Sequence, residues 1–136
     1  MRLLLDTHAL LWWLNDDDQL GPHARGLIED PANDVFVSMV SLWEIAVKVR
    51  VGKLDADVSE ILGAIPAKGF TLLDIAPAHL VALVGLPMHH RDPFDHLLIA
   101  QAISEGATFV SEDQYTPLYP VTFLTCSDAA SPPTPG

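Results

Sequence analysis

The chain has 136 residues, 49% hydrophobic and 18% charged, which is enough apolar content for one globular domain with a real core and too little length for two. Its 18 Asp and Glu against 7 Lys and Arg leave a formal charge of −11, which excludes broad electrostatic adhesion to nucleic acid, because that adhesion comes from cations neutralising phosphates. The single cysteine, Cys126, excludes an internal disulfide framework and a zinc site built of several thiolates; it reads as an inert thiol and fits a reducing cytoplasm.

Leu3 to Leu5 reads as a short buried strand, followed by an apolar helical stretch from Thr7 to Leu14 that carries Trp12 and Trp13. Asn15-Asp16-Asp17-Asp18 is a solvated turn, since adjacent acids repel and do not share a buried site. A short helix over His23 to Asp30 and a strand over Val35 to Ser38 come next. From Ser41 the apolar residues Leu42, Ile45, Ala46 and Val49 recur at helical spacing, with Glu44 in the first turns and Gly52 at the end. Asp57 to Ala64 reads as a helix, Thr71 to Ile75 as a strand, and Pro77 opens a helix over His79 to Val84.

The best-marked helix has Asp92 as N-cap, Pro93 at its first position and Gly106 at its stop. A strand over Ala107 to Ser111 leads to Glu112-Asp113, and Val121 to Thr125 adds a last edge strand. These elements form one domain over residues 1–126, and the Pro- and Ser-rich segment 127–136 is expected to be a flexible tail. No segment reaches the ~18 to 20 continuous apolar residues of a membrane span, and the first residues lack the basic-then-apolar order of a signal peptide, so a soluble protein is expected. Strands alternating with helices argue for an α/β fold with a largely parallel sheet, whose ligands bind beyond the carboxyl ends of the strands.

Four acids stand in apolar surroundings at element ends: Asp6, Glu44, Asp95 and Asp113. An unpaired buried carboxylate costs several kcal/mol, roughly, and the chain has few cations to spare. A divalent cation is the economical partner for a cluster of acids, and hard oxygen ligands favour Mg²⁺ or Mn²⁺, as one ion or two. Two like charges ~4 Å apart repel by about 4 kcal/mol at an effective dielectric of 20, so an empty site would be strained or partly protonated. Such a site suits phosphodiester hydrolysis. Each acid also has a plainer reading: Asp6 and Asp92 as helix N-caps, Asp95 as the second half of a capping-box-like exchange, Glu44 as the i+4 partner of Lys48, Asp113 as a turn acid. His89, His90 and His96 flank the region without the spacing of a zinc motif, and a loop or substrate-side role is preferred for them.

The segments Leu4-Leu5-Asp6-Thr7-His8-Ala9-Leu10-Leu11-Trp12-Trp13, Val40-Ser41-Leu42-Trp43-Glu44-Ile45-Ala46-Val47-Lys48, Arg91-Asp92-Pro93-Phe94-Asp95, Leu98-Ile99-Ala100-Gln101-Ala102 and Ser111-Glu112-Asp113 together resemble PIN-domain proteins of the VapC toxin type. The resemblance runs from about Leu3 to Leu124. It implies a three-layer α/β/α sandwich with a central, mostly parallel sheet of four to five strands. It further implies a Mg²⁺- or Mn²⁺-dependent endoribonuclease, the toxin of a type II toxin–antitoxin pair, acting as a homodimer restrained by a cognate antitoxin in the cytoplasm. The metal-binding, catalytic acids carried over by position are Asp6, Glu44, Asp95 and Asp113, with Thr7, Asp92 and Ser111 as auxiliary residues.

Two positions depart from the family pattern: His96 replaces a commoner arginine, and Ser111 a commoner threonine that shares its hydroxyl. Lys48, Arg50, Arg91 and His96 are the candidates for contact with the RNA backbone. The alternatives are a PIN-like module that binds RNA or protein without cutting, and a receiver-like Mg²⁺-binding signalling domain. The latter wants paired early acids and a late lysine, whereas Leu5 precedes Asp6 and no lysine follows Gly69. An aspartyl-nucleophile phosphatase wants a second acid where His8 stands.

Overall fold

The computed structural model describes residues 1–127. All but the first residue of the tail expected over 127–136 lies outside them. The elements follow as β1 (Arg2–Leu5), α1 (Thr7–Leu14), α2 (Pro22–Glu29), β2 (Asp34–Ser38), α3 (Met39–Arg50), α4 (Val58–Ala67), β3 (Thr71–Leu73), α5 (Pro77–Val84), α6 (Pro93–Glu105), β4 (Thr108–Val110), a 3-10 turn (Thr116–Leu118) and β5 (Phe123–Leu124).

The five strands form one sheet in the order β3-β2-β1-β4-β5, and every pairing is parallel. The mostly parallel sheet of four to five strands is thus fully parallel and has five. β1 lies in the middle, buried on both faces, which is why Leu3-Leu4-Leu5 is a continuous apolar run rather than an alternating one. The strand period of two still decides which core each side chain joins. Leu3, Leu5, Val35 and Val37 pack with Ala9 and Leu10 of α1, Ala24 and Ile28 of α2, and Ile61 and Ile65 of α4. Leu4 and Phe109 face the other way, against Leu97, Leu98 and Ala102 of α6 and Leu83 of α5. The result is the three-layer α/β/α sandwich.

Element boundaries differ from the sequence expectation where one residue serves two elements. Helix α3 starts at Met39, two residues before the expected Ser41, because Ser38, the last residue of β2, is also its N-cap and accepts a hydrogen bond from the Val40 amide. Helix α4 extends to Ala67, past the expected Ala64, with Pro66 tolerated in its last turn. Helix α6 runs as marked, from the Asp92 cap to Gly106, whose φ of 63° is the left-handed stop that glycine adopts without a Cβ penalty. Its residues from Asp95 to Ala102 are all buried, so an acid near its start is held inside the protein.

The chain builds β1, β2 and β3 outward on one side of the sheet, then returns through α5 and α6 to lay β4 on the other side of β1. The crevice beyond the carboxyl ends of β1 and β4 is therefore the switch point where parallel α/β sheets bind ligands. Among the described residues no helix is long and apolar enough to cross a membrane.

Candidate metal and active site

Asp6 follows β1 and Asp113 follows β4, and the two strand ends are joined by the Asp6 amide donating to the Val110 carbonyl at 3.0 Å. Asp6 is the N-cap of α1, its Oδ1 accepting from the Ala9 amide at 2.7 Å. The capping reading and the cavity reading of this acid are therefore both true. Ser111 supports the same corner: its hydroxyl accepts from the Asp113 amide, bonds the Thr116 hydroxyl at 3.0 Å, and reaches the Asp6 carboxylate. Asp113 turns back to accept from the Tyr115 amide at 2.8 Å.

Glu44 enters from α3. Its Oε1 accepts from the Thr7 hydroxyl at 2.6 Å and its Oε2 pairs with Lys48 Nζ at 2.7 Å. The i+4 pairing with Lys48 thus exists, but on a glutamate that is only 5% exposed rather than on a solvated helix face. Asp92 caps α6 by accepting from the Phe94 and Asp95 amides. Asp95 does not complete a capping box; its Oδ2 bonds His90 Nε2 at 2.8 Å.

These acids surround one space. Asp6, Thr7, His8, Glu44, Asp92, Asp95, Leu98 and Asp113 line a small cavity of about 30 Å³. Larger hollows lie elsewhere: about 400 Å³ between α1 and α4, and about 440 Å³ beside Trp12 and Glu112. Volume does not single out the acid cavity; its chemistry does. Burial, reinforced by the Asp113 and Glu44 charges, raises Asp6 from 3.8 to about 7 even though the Ala9 and Ser111 hydrogen bonds oppose it. Burial also raises Asp95 from 3.8 to about 7, with the Asp113 and Asp6 charges adding and His90 opposing. Both shifts come first from burial and then from the neighbouring carboxylates.

The donor set fits a hard divalent cation, since every acid offered is a carboxylate and the one lysine in contact serves Glu44 alone. Among the described residues, no three His, Cys, Asp or Glu side chains are already arranged to hold a metal ion. The hydrogen bonds give the reason. Oxygens of Asp6, Glu44, Asp95 and Asp113 each rest on a donor of the protein, and four carboxylates do not converge further against their own repulsion.

The candidate RNA contacts divide. Lys48, Arg50 and Arg91 all lie outside the cavity lining: Lys48 reaches it through its pair with Glu44, exposed Arg91 precedes the lining residue Asp92, and exposed Arg50 ends α3 without such a link. His96 is buried at 9% exposure, its ring against those of His90 and Tyr119 and its Nε2 without a hydrogen-bond partner among the described residues. It faces the protein, not a solvent-borne phosphate. The sequence reading missed that His90 grips Asp95 and that Tyr119 grips His90. Loop histidines five residues before an acid carry no helical spacing, and Tyr119 carries no motif at all. Cys126 is fully buried, and burial pushes its thiol well up, as expected of an inert group.

A profile of the PIN domain matches residues 3–118. Ribonuclease VapC22 of Mycobacterium tuberculosis (strain ATCC 25618 / H37Rv) is 30% identical over 115 residues, covering 82% of this chain and 87% of that protein. VapBC2 from Rickettsia felis, solved bound to a DNA fragment from their promoter, contains a chain that superposes with a TM-score of 0.72 at 18% identity, covering 92% of this chain and 98% of that one. DNA-bound VapBC from Salmonella typhimurium gives 0.62 at 13% identity, covering 93% and 99%. These two likenesses concern the fold.

Proposed function

We propose that this chain, which belongs to the PIN-domain family, is a Mg²⁺- or Mn²⁺-dependent endoribonuclease and the toxin of a VapBC-type toxin–antitoxin pair. The observation that carries the reading is the meeting of Asp6, Glu44, Asp95 and Asp113, distant in sequence, around one small cavity at the sheet's switch point.

Asp6, Glu44, Asp95 and Asp113 would hold the cation, which supplies a counter-charge for the phosphodiester and makes attacking water more acidic. The protein's own groups prepare the place. Thr7 and Lys48 fix the two oxygens of Glu44, and the Ala9 amide fixes one oxygen of Asp6. Asp92 holds the start of α6 and thereby the height of Asp95. Ser111 ties Asp6 to the turn that carries Asp113. Lys48 and Arg91 are the cations at hand for RNA phosphates, which a chain of charge −11 needs locally.

The hollow between α1 and α4 suits the antitoxin. Leu11, Leu14, Leu54, Ile61 and Ala64 give it an apolar floor, and Asp55, Asp57 and Glu60 give it an acidic rim, so the matching segment carries apolar and basic residues. The homodimer is assigned to the outer side of α5, where Leu80, Val81 and Val84 are exposed. A cytoplasmic location accords with this assembly and with the single free, buried cysteine.

The test is incubation of total RNA and defined tRNAs with the pure protein and each metal, resolved on gels. Cleavage with Mg²⁺ or Mn²⁺, abolished by EDTA and reduced at least about 100-fold in Asp6→Asn and Asp95→Asn, is the expected result. Equal cleavage by those two variants would reject the site.

A further inference from the structure

Behind Asp95 lies a hydrogen-bond chain that runs from the His89 amide through the Tyr119 hydroxyl and His90 to the Asp95 carboxylate. The His89 amide donates to the Tyr119 hydroxyl at 2.9 Å, so the hydroxyl proton is free to serve His90 Nδ1, 2.7 Å away. With Nδ1 an acceptor, His90 carries its proton on Nε2 and donates to Asp95 Oδ2 at 2.8 Å. The arrangement thus favours the His90 tautomer that donates to Asp95. His90 has no room to swing: Tyr115 stacks parallel on it at 4.9 Å, and His96 and Tyr119 stand edge-on at 4.6 and 5.4 Å. Among the described residues the other oxygen of Asp95, Oδ1, takes no hydrogen bond, while Asp95 lines the acid cavity.

We infer that His90 is a positioning residue: anchored by the Tyr119 hydroxyl, it pins one oxygen of the Asp95 carboxylate and leaves the other for the cation. The inference rests on the proposed nuclease reading of the cavity. A carboxylate that rotates freely about its last bond presents either oxygen at any angle, and a small octahedral ion tolerates little of that. Fixing one oxygen removes that freedom before the ion arrives. Partners of this kind commonly contribute 10- to 100-fold to metal affinity, as an order of magnitude. The burial of His96 gains a reason as well, since its ring forms one wall of the slot that holds His90.

The experiment is calorimetric titration of Mn²⁺ into the full chain, as wild type and as Tyr119→Phe, His90→Ala and His90→Gln, with thermal midpoints recorded alongside. Tyr119→Phe keeps the aromatic packing and removes only the hydroxyl, so it carries the test should His90→Ala fold poorly. Expected is Mn²⁺ binding weakened about 10- to 100-fold in Tyr119→Phe and His90→Ala, with most affinity recovered in His90→Gln, whose amide N–H can replace Nε2–H. Wild-type affinity in Tyr119→Phe would overturn the positioning role and leave the cation site standing. Equal loss in His90→Gln and His90→Ala would overturn it too, by pointing to packing alone. A wild-type chain that binds no Mn²⁺ would overturn both the role and the nuclease reading.

Discussion

The Thr7 hydroxyl donates to Glu44 Oε1 at 2.6 Å across 37 positions of sequence, and so locks the first turn of α1 to α3 at the edge of the acid cavity. The same hydroxyl shares a 3.1 Å hydrogen bond with Ser41, one turn before Glu44. Thr7→Val keeps the shape and removes the donor, leaving a buried carboxylate oxygen without its partner. The loss is expected to be about 1–3 kcal/mol in urea unfolding, together with weaker Mn²⁺ binding. Unchanged stability would mean that Lys48 alone suffices to hold Glu44.

A second polar network lies between α5 and α6, where His79 is buried and acts as a hub. Its Nδ1 accepts from the Ala76 amide at 2.8 Å and lies 3.2 Å from Gln101 Nε2, while its Nε2 bonds Glu105 at 2.8 Å. Gln101 in turn accepts from the Ser38 hydroxyl, so α5, α6 and the end of β2 are joined. His79→Leu strands several of these groups at once and is expected to cost about 2–4 kcal/mol. It touches none of the acids lining the cavity, so the folded fraction should bind Mn²⁺ as wild type does. Denaturant titration beside calorimetry separates the two effects.

The fold was legible because most elements have strong local markers. The Leu3-Leu4-Leu5 run, the Pro93 start and the Gly106 stop each survive in the structure with little change. Ser38 escaped because one residue ends β2 and caps α3 without an intervening loop, so no turn residue announces the junction. The four acids were found by asking why a carboxylate sits in an apolar run, a question that local sequence poses at each of them. What orients them was hidden. His90 and Tyr119 act through bonds spanning 5 and 29 positions, and although the family resemblance names Thr7, its bond to Glu44 across 37 positions is likewise set by tertiary packing rather than by any period of helix or strand.

Val84 is 88% exposed and Val81 74% exposed on α5, a degree of exposure that solvent alone does not favour for two neighbouring β-branched residues. If this face joins two copies, Val81→Asp with Val84→Asp places charges in the interface and shifts sedimentation from dimer to monomer. Being exposed, the positions should leave the thermal midpoint of the monomer within about 0.5 kcal/mol of stability. A dimer that persists would move the interface elsewhere.

The acid cavity also predicts how stability follows pH. Asp6 and Asp95 stand at about 7 in the folded protein against 3.8 for the ordinary carboxyl. Between those values the folded chain retains protons that the unfolded chain has released, so unfolding stability falls as pH rises through the window. The fall is at most about 1.4 kcal/mol per pH unit for each group, and it ends above the folded values, where both states are ionised. Without metal, Asp6→Asn removes that penalty while its amide oxygen still accepts from Ala9, so its stability advantage over wild type is expected to be largest at about pH 8, smaller at about pH 5, and gone below the ordinary carboxyl value of 3.8. Excess Mn²⁺ should narrow the gap at pH 8, because binding only the folded state stabilises it by about 2.7 kcal/mol at a hundredfold excess over Kd, against a penalty of about 4 kcal/mol from the Asp6 shift. Urea midpoints of both proteins across this range, with and without Mn²⁺, decide the matter: an Asp6→Asn chain no more stable than wild type at pH 8 would mean that the Asp6 charge already has a counter-ion within the protein.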